Sequence, residues 1–514
     1  MRNTLVIDRN QLPSMDEAAL RGVVASLLEK IDHDAREISW RDTKIDKLTF
    51  EIAHLKRLKF GRQSEQMDTV QKALFDEAIE ADMAALEQEL QDLQRTVAPS
   101  AEKQKPKRAP LPAHLPRVDH HHEIENTVCA CGCVLKRIGE DVSEKLDYTP
   151  GDFAVERHIR GKWVCSDCQT LVQAPVPPDV IDKGIPTAGL LAQVLVAKYA
   201  DHLPLYRQEA IFGRAGLAIP RSTLANWVGA CGARLQPLVD ALKTELLKSA
   251  VLQADETPVS MLAPGTGKTH RSYLWSYVSG EFEPMRAVVY DFTPSRSGEH
   301  ARTFLGPWQG SLVCDDFSGY KASFANGIVE IGCMAHARRK FVELHLANQS
   351  TLAATAIHYI GQLYGVEAAI KTLQPEQRLE QRRTQSAPIA AALYDWMKAT
   401  RIRVTEGSAI AKAIDYSLNR WLALTRYLKD PALPIDNNHD ERQIRPWATG
   451  RKNWLFAGTL LAGQRAAAIM SLIQSAKLNG HDPYAYVKNV LTRLPTQKAS
   501  ELDQLLPHRW SPAQ

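Results

Sequence analysis

Five of the eight cysteines in this 514-residue chain fall between positions 129 and 168, as Cys129-Ala-Cys131-Gly-Cys133 and then Cys165-Ser-Asp-Cys168. Two thiol groups about thirty residues apart, the second with the two-residue spacing of a zinc knuckle, suit tetrahedral thiolate coordination of a structural Zn²⁺. The first group is compressed. Either Cys129 with Cys131 or Cys129 with Cys133 completes the set, and His120, His121 and His122 stand close enough in sequence to substitute. Four protein ligands leave no open position, so this metal would hold structure rather than perform chemistry.

A second set of residues is acidic. Asp255 closes the apolar run Val251-Leu252-Gln253-Ala254, Asp315 closes Ser311-Leu312-Val313-Cys314, and Glu441 lies in the helical stretch Asn437-Asn438-His439-Asp440-Glu441-Arg442-Gln443-Ile444-Arg445. Three carboxylates suit two Mg²⁺ or Mn²⁺ ions, which activate an attacking oxygen and steady the leaving oxygen of an in-line phosphoryl displacement. Acids at strand ends are mostly caps and loop residues. What distinguishes these is their cationic company: Arg442, Arg445, Arg451 and Lys452 around the third acid, and His336, Arg338, Arg339 and Lys340 after another strand. Phosphodiester substrates require such groups, because phosphate contacts set the register of a duplex. Asn437, Glu441 and Arg445 share a helix face at i, i+4, i+8, and Asn437 and Asn438 are candidates to orient Glu441 or a metal-bound water. The Gly267-Lys268-Thr269 triplet resembles a phosphate loop, but that motif needs Gly five residues before Gly267 and Leu262 stands there; a hairpin loop fits better.

These residues need elements to position them. Residues 249–345 read as three consecutive strands (SAVLQAD, SYLWSYVSG, RAVVYDFT), a helix (GEHARTFLG), a strand (GSLVCDD), a further strand (IVEIGC) and the helix MAHARRKFVELH, a mixed sheet flanked by helices. In that order the first and fourth strands can be neighbours, which brings Asp255 and Asp315 to one sheet edge, each at the end of its strand. Residues 346–430 read as helical and loop-like, without a catalytic-looking cluster, and the stretch with the third acid follows the breaker Pro434. Upstream, residues 181–248 are helical; Gly216 separates two amphipathic runs, and the second opens with Ser222 as N-cap. A helix-turn-helix-like arrangement is one outcome there, and a packing hairpin is the commoner one. Residues 119–180 form the cysteine module, and 99–118, rich in Pro and Lys, an exposed linker.

From residue 20 to 58 Val24, Ile31, Ile38, Ile45 and Ile52 keep a seven-residue beat, with Leu20, Leu27, Leu48 and Leu55 beside them. β-Branched residues at one seam position and Leu at the other favour a parallel two-stranded coiled coil, although Asp34 and Arg41 weaken its middle. The helical segment spans 16–98, with a break at Gly61. Composition sets outer limits: 44% hydrophobic and 24% charged residues exclude a disordered, collagenous or membrane-spanning chain, and no basic and apolar leader opens the sequence, so a cytoplasmic protein is expected. The net charge of +4 does not announce a nucleic-acid partner.

LQADETP, VCDDFSGY, GCMAHARRKF and above all IDNNHDERQIRPWATGRKNWLFAG resemble the signature blocks of the IS66 family of bacterial insertion-sequence transposases, and similar blocks run through almost the whole chain. The resemblance implies a multidomain α+β protein: an N-terminal α-helical coiled coil, a small zinc-binding module, a helical DNA-binding region, and a ribonuclease-H-like α/β core with a helical insertion at 346–430, the rest of the core with the third acid at 431–480, and a C-terminal tail at 481–514. It implies a DDE transposase with Asp255, Asp315 and Glu441 as catalytic acids, Asp316 being a rival for the second role. It further implies two divalent ions, DNA partners (terminal inverted repeats and target), a homodimer or larger assembly, accessory proteins of the same element, and a nucleoid-associated location in a bacterium. The alternative is a non-catalytic DNA-binding regulator derived from a transposase; the nearest enzymatic rival is a simple nuclease. His439-Asp440 and the compressed first cysteine group depart from the family pattern.

Overall fold

The computed structural model describes residues 17–60, 69–94, 111–113, 115–130, 132–149, 151–181, 184–263, 268–454 and 457–512. Two compact units divide them. One holds α1 (Glu17–Phe60) with the end of α2 (Thr69–Gln94) from Leu86; the other holds α2 through Ala85 and everything from residue 111.

In the first unit α1 is an unbroken 44-residue helix. Its apolar seam is buried only toward its C-terminal end, at Leu48, Ile52 and Leu55, whereas Val24, Ile31 and Ile38 are 53%, 62% and 59% exposed. Lys44 and Lys56 reach Glu89 and Glu87 of α2 at 2.5 and 3.6 Å. The break expected at Gly61 lies outside the described residues, as does the lysine-rich part of the expected linker.

The second unit starts earlier than expected. Residues 111–118 were assigned to an exposed linker, yet Leu115 is buried and Leu111 packs on the core. Arg117 explains how an irregular stretch can be held: its Nη1 donates to the carbonyls of Pro112 and Leu115 at 2.9 and 2.8 Å, satisfying oxygens that have no strand partner. Arg117 also opens β1 (Arg117–His122), which joins β2 (Leu135–Thr149), β3 (Asp152–Cys165) and β4 (Leu171–Gln173) in a sheet with β3 at its centre. β1 runs parallel to β3, while β2 and β4 run antiparallel to it.

Three helices follow, α3 (Ala188–Tyr199), α4 (Leu205–Arg214) and α5 (Arg221–Leu246). Ser222 is not the N-cap of α5. Pro220 holds the cap position without a side-chain bond, and the Arg221 N–H donates to the Glu209 carboxylate at 3.1 Å. A carboxylate from the preceding helix thus satisfies an orphan donor at a helix start, where negative charge is favoured. Leu224, Ala225, Val228, Cys231, Leu235, Leu238 and Leu242 bury α5, so it is a core helix.

The second sheet comprises β5 (Val251–Ala263), β6 (Lys268–Ser279), β7 (Val288–Thr293), β8 (Ser311–Cys314) and β9 (Val329–Gly332), in spatial order β7-β6-β5-β8-β9. The first three strands are antiparallel in sequence, and β5, β8 and β9 are parallel. Helix α6 (Gly298–Leu305) crosses from β7 to β8, α7 (Lys321–Ala325) follows β8, and α8 (Met334–Asn348) leaves β9. Strand alternation divides the apolar residues between two cores. Leu252, Ala254, Leu312 and Cys314 join the core that includes α5, while Val251, Val313 and Ile331 join the core that includes α8.

One expectation is corrected here: Asp255 does not end its strand, because β5 continues with β6 as a hairpin to Ala263↔Lys268. What ends near Asp255 is the pairing with β8, whose last residue is Cys314.

The insertion is helical as expected: α9 (Thr351–Ile370), α10 (Pro375–Gln381), α11 (Ala387–Arg403), α12 (Ala409–Asn419) and α13 (Trp421–Thr425). At its two ends the Met334 N–H donates to the carbonyl of Ile435 at 3.1 Å. Helices α14 (Asn438–Trp454) and α15 (Leu460–Leu478) complete the core. The expected tail is a packed element: α16 (Pro483–Arg493) buries Tyr486, Val487, Val490 and Leu491, and Leu505, Leu506 and Trp510 are also buried. An apolar side chain every third or fourth residue explains the burial. Among the described residues no helix is long and apolar enough to cross a membrane.

Candidate active site

The β5–β8 register runs Val251↔Ser311, Leu252↔Leu312, Gln253↔Val313, and continuing it sets Asp255 opposite Asp315. Both acids sit an even number of residues from Gln253 or Val313, so they face the same side of the sheet, on strands about 4.8 Å apart. Asp255 Oδ1 accepts the Glu256 N–H, and Asp315 Oδ1 accepts the Phe317 N–H, each at 2.8 Å.

Helix α14 is carried onto this face by a buried clamp. Asn437, fully buried, donates from Nδ2 to the Ala254 carbonyl at 2.9 Å and accepts from Gln253 Nε2 at 3.2 Å; its N–H meets Cys333 Sγ at 3.3 Å. Its own carbonyl accepts the N–H groups of Asp440 and Glu441 at 3.0 and 3.1 Å. Asp440, also fully buried, accepts from Ser276 Oγ, and Ser276 pairs directly with Asp255 across the hairpin. Glu441 is therefore presented from the first turn of a helix stapled to the strand that carries Asp255. Asn438 does not reach toward Glu441; its N–H and Nδ2 bond Asp436 at 2.9 and 2.6 Å.

The electrostatics are those of a site short of positive charge. Burial, the Glu256 carboxylate, Asp315 and Glu441 push Asp255 up to about 8 against the Glu256 N–H. Asp440 is raised well above the usual carboxylate range by burial and by Asp255, against the Ser276 bond. Glu441 Oε1 is buried without a hydrogen-bond partner; His336 Nδ1 and Arg339 Nη2 stand off at 3.9 and 3.7 Å. Burial and Arg339 lower His336, which favours its neutral form. Clustered carboxylates, one with an orphaned buried oxygen, fit a divalent cation, whose charge would offset the repulsion.

Of the cationic candidates, Arg338, Arg339, Lys340, Arg442 and Arg445 are exposed. Lys340 lies 4.4 Å over the Tyr416 ring, and Arg442 is 3.8 Å from Glu281. Arg451 is engaged within the protein, donating to Thr257 Oγ1 at 3.2 Å and to the Pro258 carbonyl. The Lys452 side chain lies outside the described residues.

Two nearby residues carry no signal in the sequence. Glu256 has a side chain only 1% exposed and faces away from Asp255; it accepts from Arg296 and from Tyr320 Oη, and Arg296 lies 4.1 Å over the Phe317 ring. It thereby anchors the turn that follows Asp315. Arg420, inside the insertion, donates to the Asp315 carbonyl.

The cysteine site is built from two tight turns. The Cys129 N–H bonds the Cys133 carbonyl and the Gly132 N–H the Cys129 carbonyl, each at 2.8 Å, with Gly132 at φ 88°, a conformation glycine adopts without a Cβ penalty. The Gln169 N–H returns to the Cys165 carbonyl at 3.0 Å. Cys129, Cys165 and Cys168 bring their sulfurs within 4.8 Å of one another, the one such trio of candidate ligand atoms among the described residues. Hydrogen bonds from Thr170, Cys129 and Cys165 lower Cys168 to about 6, toward the thiolate that zinc requires. Cys133 Sγ lies 2.7 Å from Asp167 Oδ2, and Cys131 lies outside the described residues. The histidines do not join the cysteines. His120 pairs with His158 and His122 Nε2 lies 3.0 Å from His158 Nδ1, seven residues back along β3 from Cys165, roughly 23 Å of strand.

Family profiles cover this architecture. One described as "Transposase IS66 family" matches residues 183–465, "IS66 C-terminal element" residues 471–508, "zinc-finger binding domain of transposase IS66" residues 126–169, and "Transposase C of IS166 homeodomain" residues 47–119. Among curated relatives, the uncharacterized protein y4qI of Sinorhizobium fredii is 36% identical over 97% of this chain and 94% of its own length. The uncharacterized protein y4jD of the same organism is 34% identical over 94% of this chain and 97% of its own. With the second sheet, the cysteines of the module and α16 falling inside matched segments, the chain belongs to the IS66 transposase family.

Proposed function

We propose that this chain is a DNA transposase that cuts at transposon ends and joins the freed 3′-hydroxyls to target DNA, on a ribonuclease-H-like core. The observation that carries the proposal is the register of β5 and β8, which sets Asp255 and Asp315 side by side on one sheet face, with Glu441 clamped over the same face by Asn437. Asp255, Asp315 and Glu441 would hold two Mg²⁺ or Mn²⁺ ions, which supply an activated oxygen nucleophile and stabilise the leaving oxygen of an in-line displacement. The protein's own part is to fix the acids on separate rigid elements and to keep water-exposed cations at their border. Arg338, Arg339, Lys340, Arg442 and Arg445 would neutralise phosphates and orient the strand. Arg451 would support the hairpin that carries the first acid.

The other assignments follow the same reading. Cys129, Cys165 and Cys168 would bind a structural Zn²⁺ with a fourth thiolate from Cys131 or Cys133. The exposed seam of Val24, Ile31 and Ile38 supports a parallel homodimer that brings two copies to paired ends in the bacterial nucleoid. The test uses the full chain with a duplex ending in its element's terminal inverted repeat. Mg²⁺-dependent nicking at the repeat boundary and strand-transfer products are expected. Nicking without transfer would reassign the chain as a nuclease, and binding without nicking as a regulator.

A further inference from the structure

We infer that Arg420 is a positioning residue that determines which of two adjacent acids, Asp315 or Asp316, is presented to the metal ions; the inference rests on the metal-dependent reading above. Arg420 lies between α12 and α13, 105 residues from Asp315 in sequence, yet its side chain is only 7% exposed. Nη2 donates to the Asp315 carbonyl at 3.2 Å and to Glu330 Oε1 at 2.6 Å, and Nη1 to Tyr416 Oη at 3.0 Å. Nε has no hydrogen-bond partner and stands 3.7 Å from Asp316 Oδ1.

Two effects follow from that fork. Holding the Asp315 carbonyl fixes the peptide plane between the two acids, so the Asp315 carboxylate stays on the face it shares with Asp255. The Asp316 carboxylate, one residue on, is drawn toward a guanidinium. Asp316 is 43% exposed and makes no hydrogen bond to Nε, but a carboxylate beside a permanent cation is a poorer ligand for a second cation, because metal binding must work against the guanidinium charge. The pair Asp315-Asp316 thus resolves into one acid for metal and one for arginine.

The insertion is built to deliver this group. α13 packs on β9 where Gly332 allows it, since a Cβ there would meet the Leu424 nitrogen at 3.1 Å. Arg426 Nη1 donates to the Glu330 carbonyl. Such contacts would also arise if Arg420 merely fastened the insertion to the sheet. The distinguishing feature is Asp316: a fastener has no reason to make metal binding depend on the neighbouring acid.

The test is a Mn²⁺ titration of the full chain by electron paramagnetic resonance, with D255N as the background, alongside the Mg²⁺ concentration for half-maximal cleavage of a terminal-repeat duplex. R420A should weaken Mn²⁺ binding about tenfold, the range expected for an outer-shell partner of a metal ligand. D316N alone should stay within about twofold of wild type, and R420A/D316N should bind more tightly than R420A but short of wild type, because the competing acid is gone while the Asp315 carbonyl is still unheld. R420K, which keeps the cation but cannot span three acceptors, should fall between R420A and wild type and serves if R420A fails to fold. Wild-type binding by R420A or R420K, or a double variant as weak as R420A, overturns the inference. If wild type binds Mn²⁺ above the D255N background but cleaves no DNA, the transposase reading falls while the titration still decides the role of Arg420. A wild type that binds no Mn²⁺ above that background overturns both.

Discussion

The two candidate metal sites of this chain are assembled by opposite means. The cysteine site is local: two turns of a few residues each bring three sulfurs within 4.8 Å, and their hydrogen bonds close within the turns. The carboxylate site is long-range, drawn from β5, the end of β8 and the first turn of α14, and held by a buried amide that bonds a strand 183 residues away. In the first the ligands are already gathered and the sulfurs touch. In the second the acids are presented on separate rigid supports, and burial with the neighbouring carboxylates pushes Asp255 up to about 8. A closed site contributes folding energy, whereas an open one keeps ligand positions for substrate.

This contrast can be broken at either end. The largest effect is expected from D255N, D315N or E441Q, each lowering Mg²⁺-dependent cleavage by about a thousandfold or more while leaving repeat binding within about threefold, as gel-shift and nicking assays would read. C165S should lose the bound zinc, by elemental analysis, and lower the thermal midpoint by about 5 °C or more. If C165S instead abolishes cleavage as completely as D255N in a folded protein, the two sites are not separable. N437A sits between these cases: it removes the bonds that Asn437 makes to the Ala254 carbonyl and to Gln253 Nε2, which keeps only the Asp436 carbonyl, so a loss of about 1–3 kcal/mol is expected in urea titration, with metal affinity about tenfold weaker.

Asp255 supplies a pH signature opposite in sign to that of the cysteine site, where Cys168 is lowered to about 6. Its folded value of about 8 lies above its ordinary one, so the native state holds a proton that the unfolded chain has released. Stability without Mg²⁺ should therefore be greatest at low pH and fall as pH rises through about 8, and D255N should flatten that slope in thermal melts. Below pH 8 Mg²⁺ must displace this proton, so half-saturation should rise by up to about tenfold per pH unit. The smallest effect is expected from R445A, which should reduce the salt dependence of DNA binding by about one counterion.

Much of this was legible in sequence. The strand order around Asp255 and Asp315 is written as short apolar runs, of which only the one before Asp315 ends at its acid, and residues 346–430 read as helical and loop-like. The role of Arg420 was not legible, because an arginine in a helical stretch looks like any solvated cation until the fold returns it to the sheet. Asn437 is visible in sequence as a residue to orient Glu441 or a metal-bound water, but nothing in its spacing reveals that Gln253 and Ala254 lie beneath it. Ser222 failed as a cap for a related reason: Glu209, twelve residues upstream, supplies the acceptor. The C-terminal element is recognisable by its resemblance to the family's tail, but that likeness does not show that Tyr486, Val487, Val490 and Leu491 are buried.

The single bond from the Met334 N–H to the Ile435 carbonyl gives the insertion a particular evolutionary freedom. The chain leaves β9 and enters α14 side by side, so the residues in between start and end at the fixed posts of a gate, although α13, Arg420 and Arg426 also pack back on the sheet. Lengthening or shortening that loop changes its closure entropy only slowly with size and does not move α14 relative to β9. The distance in sequence between the second and third acids can thus vary among relatives without disturbing their separation in space, and a foreign domain spliced beyond the gate should be tolerated, provided that Arg420 still comes home.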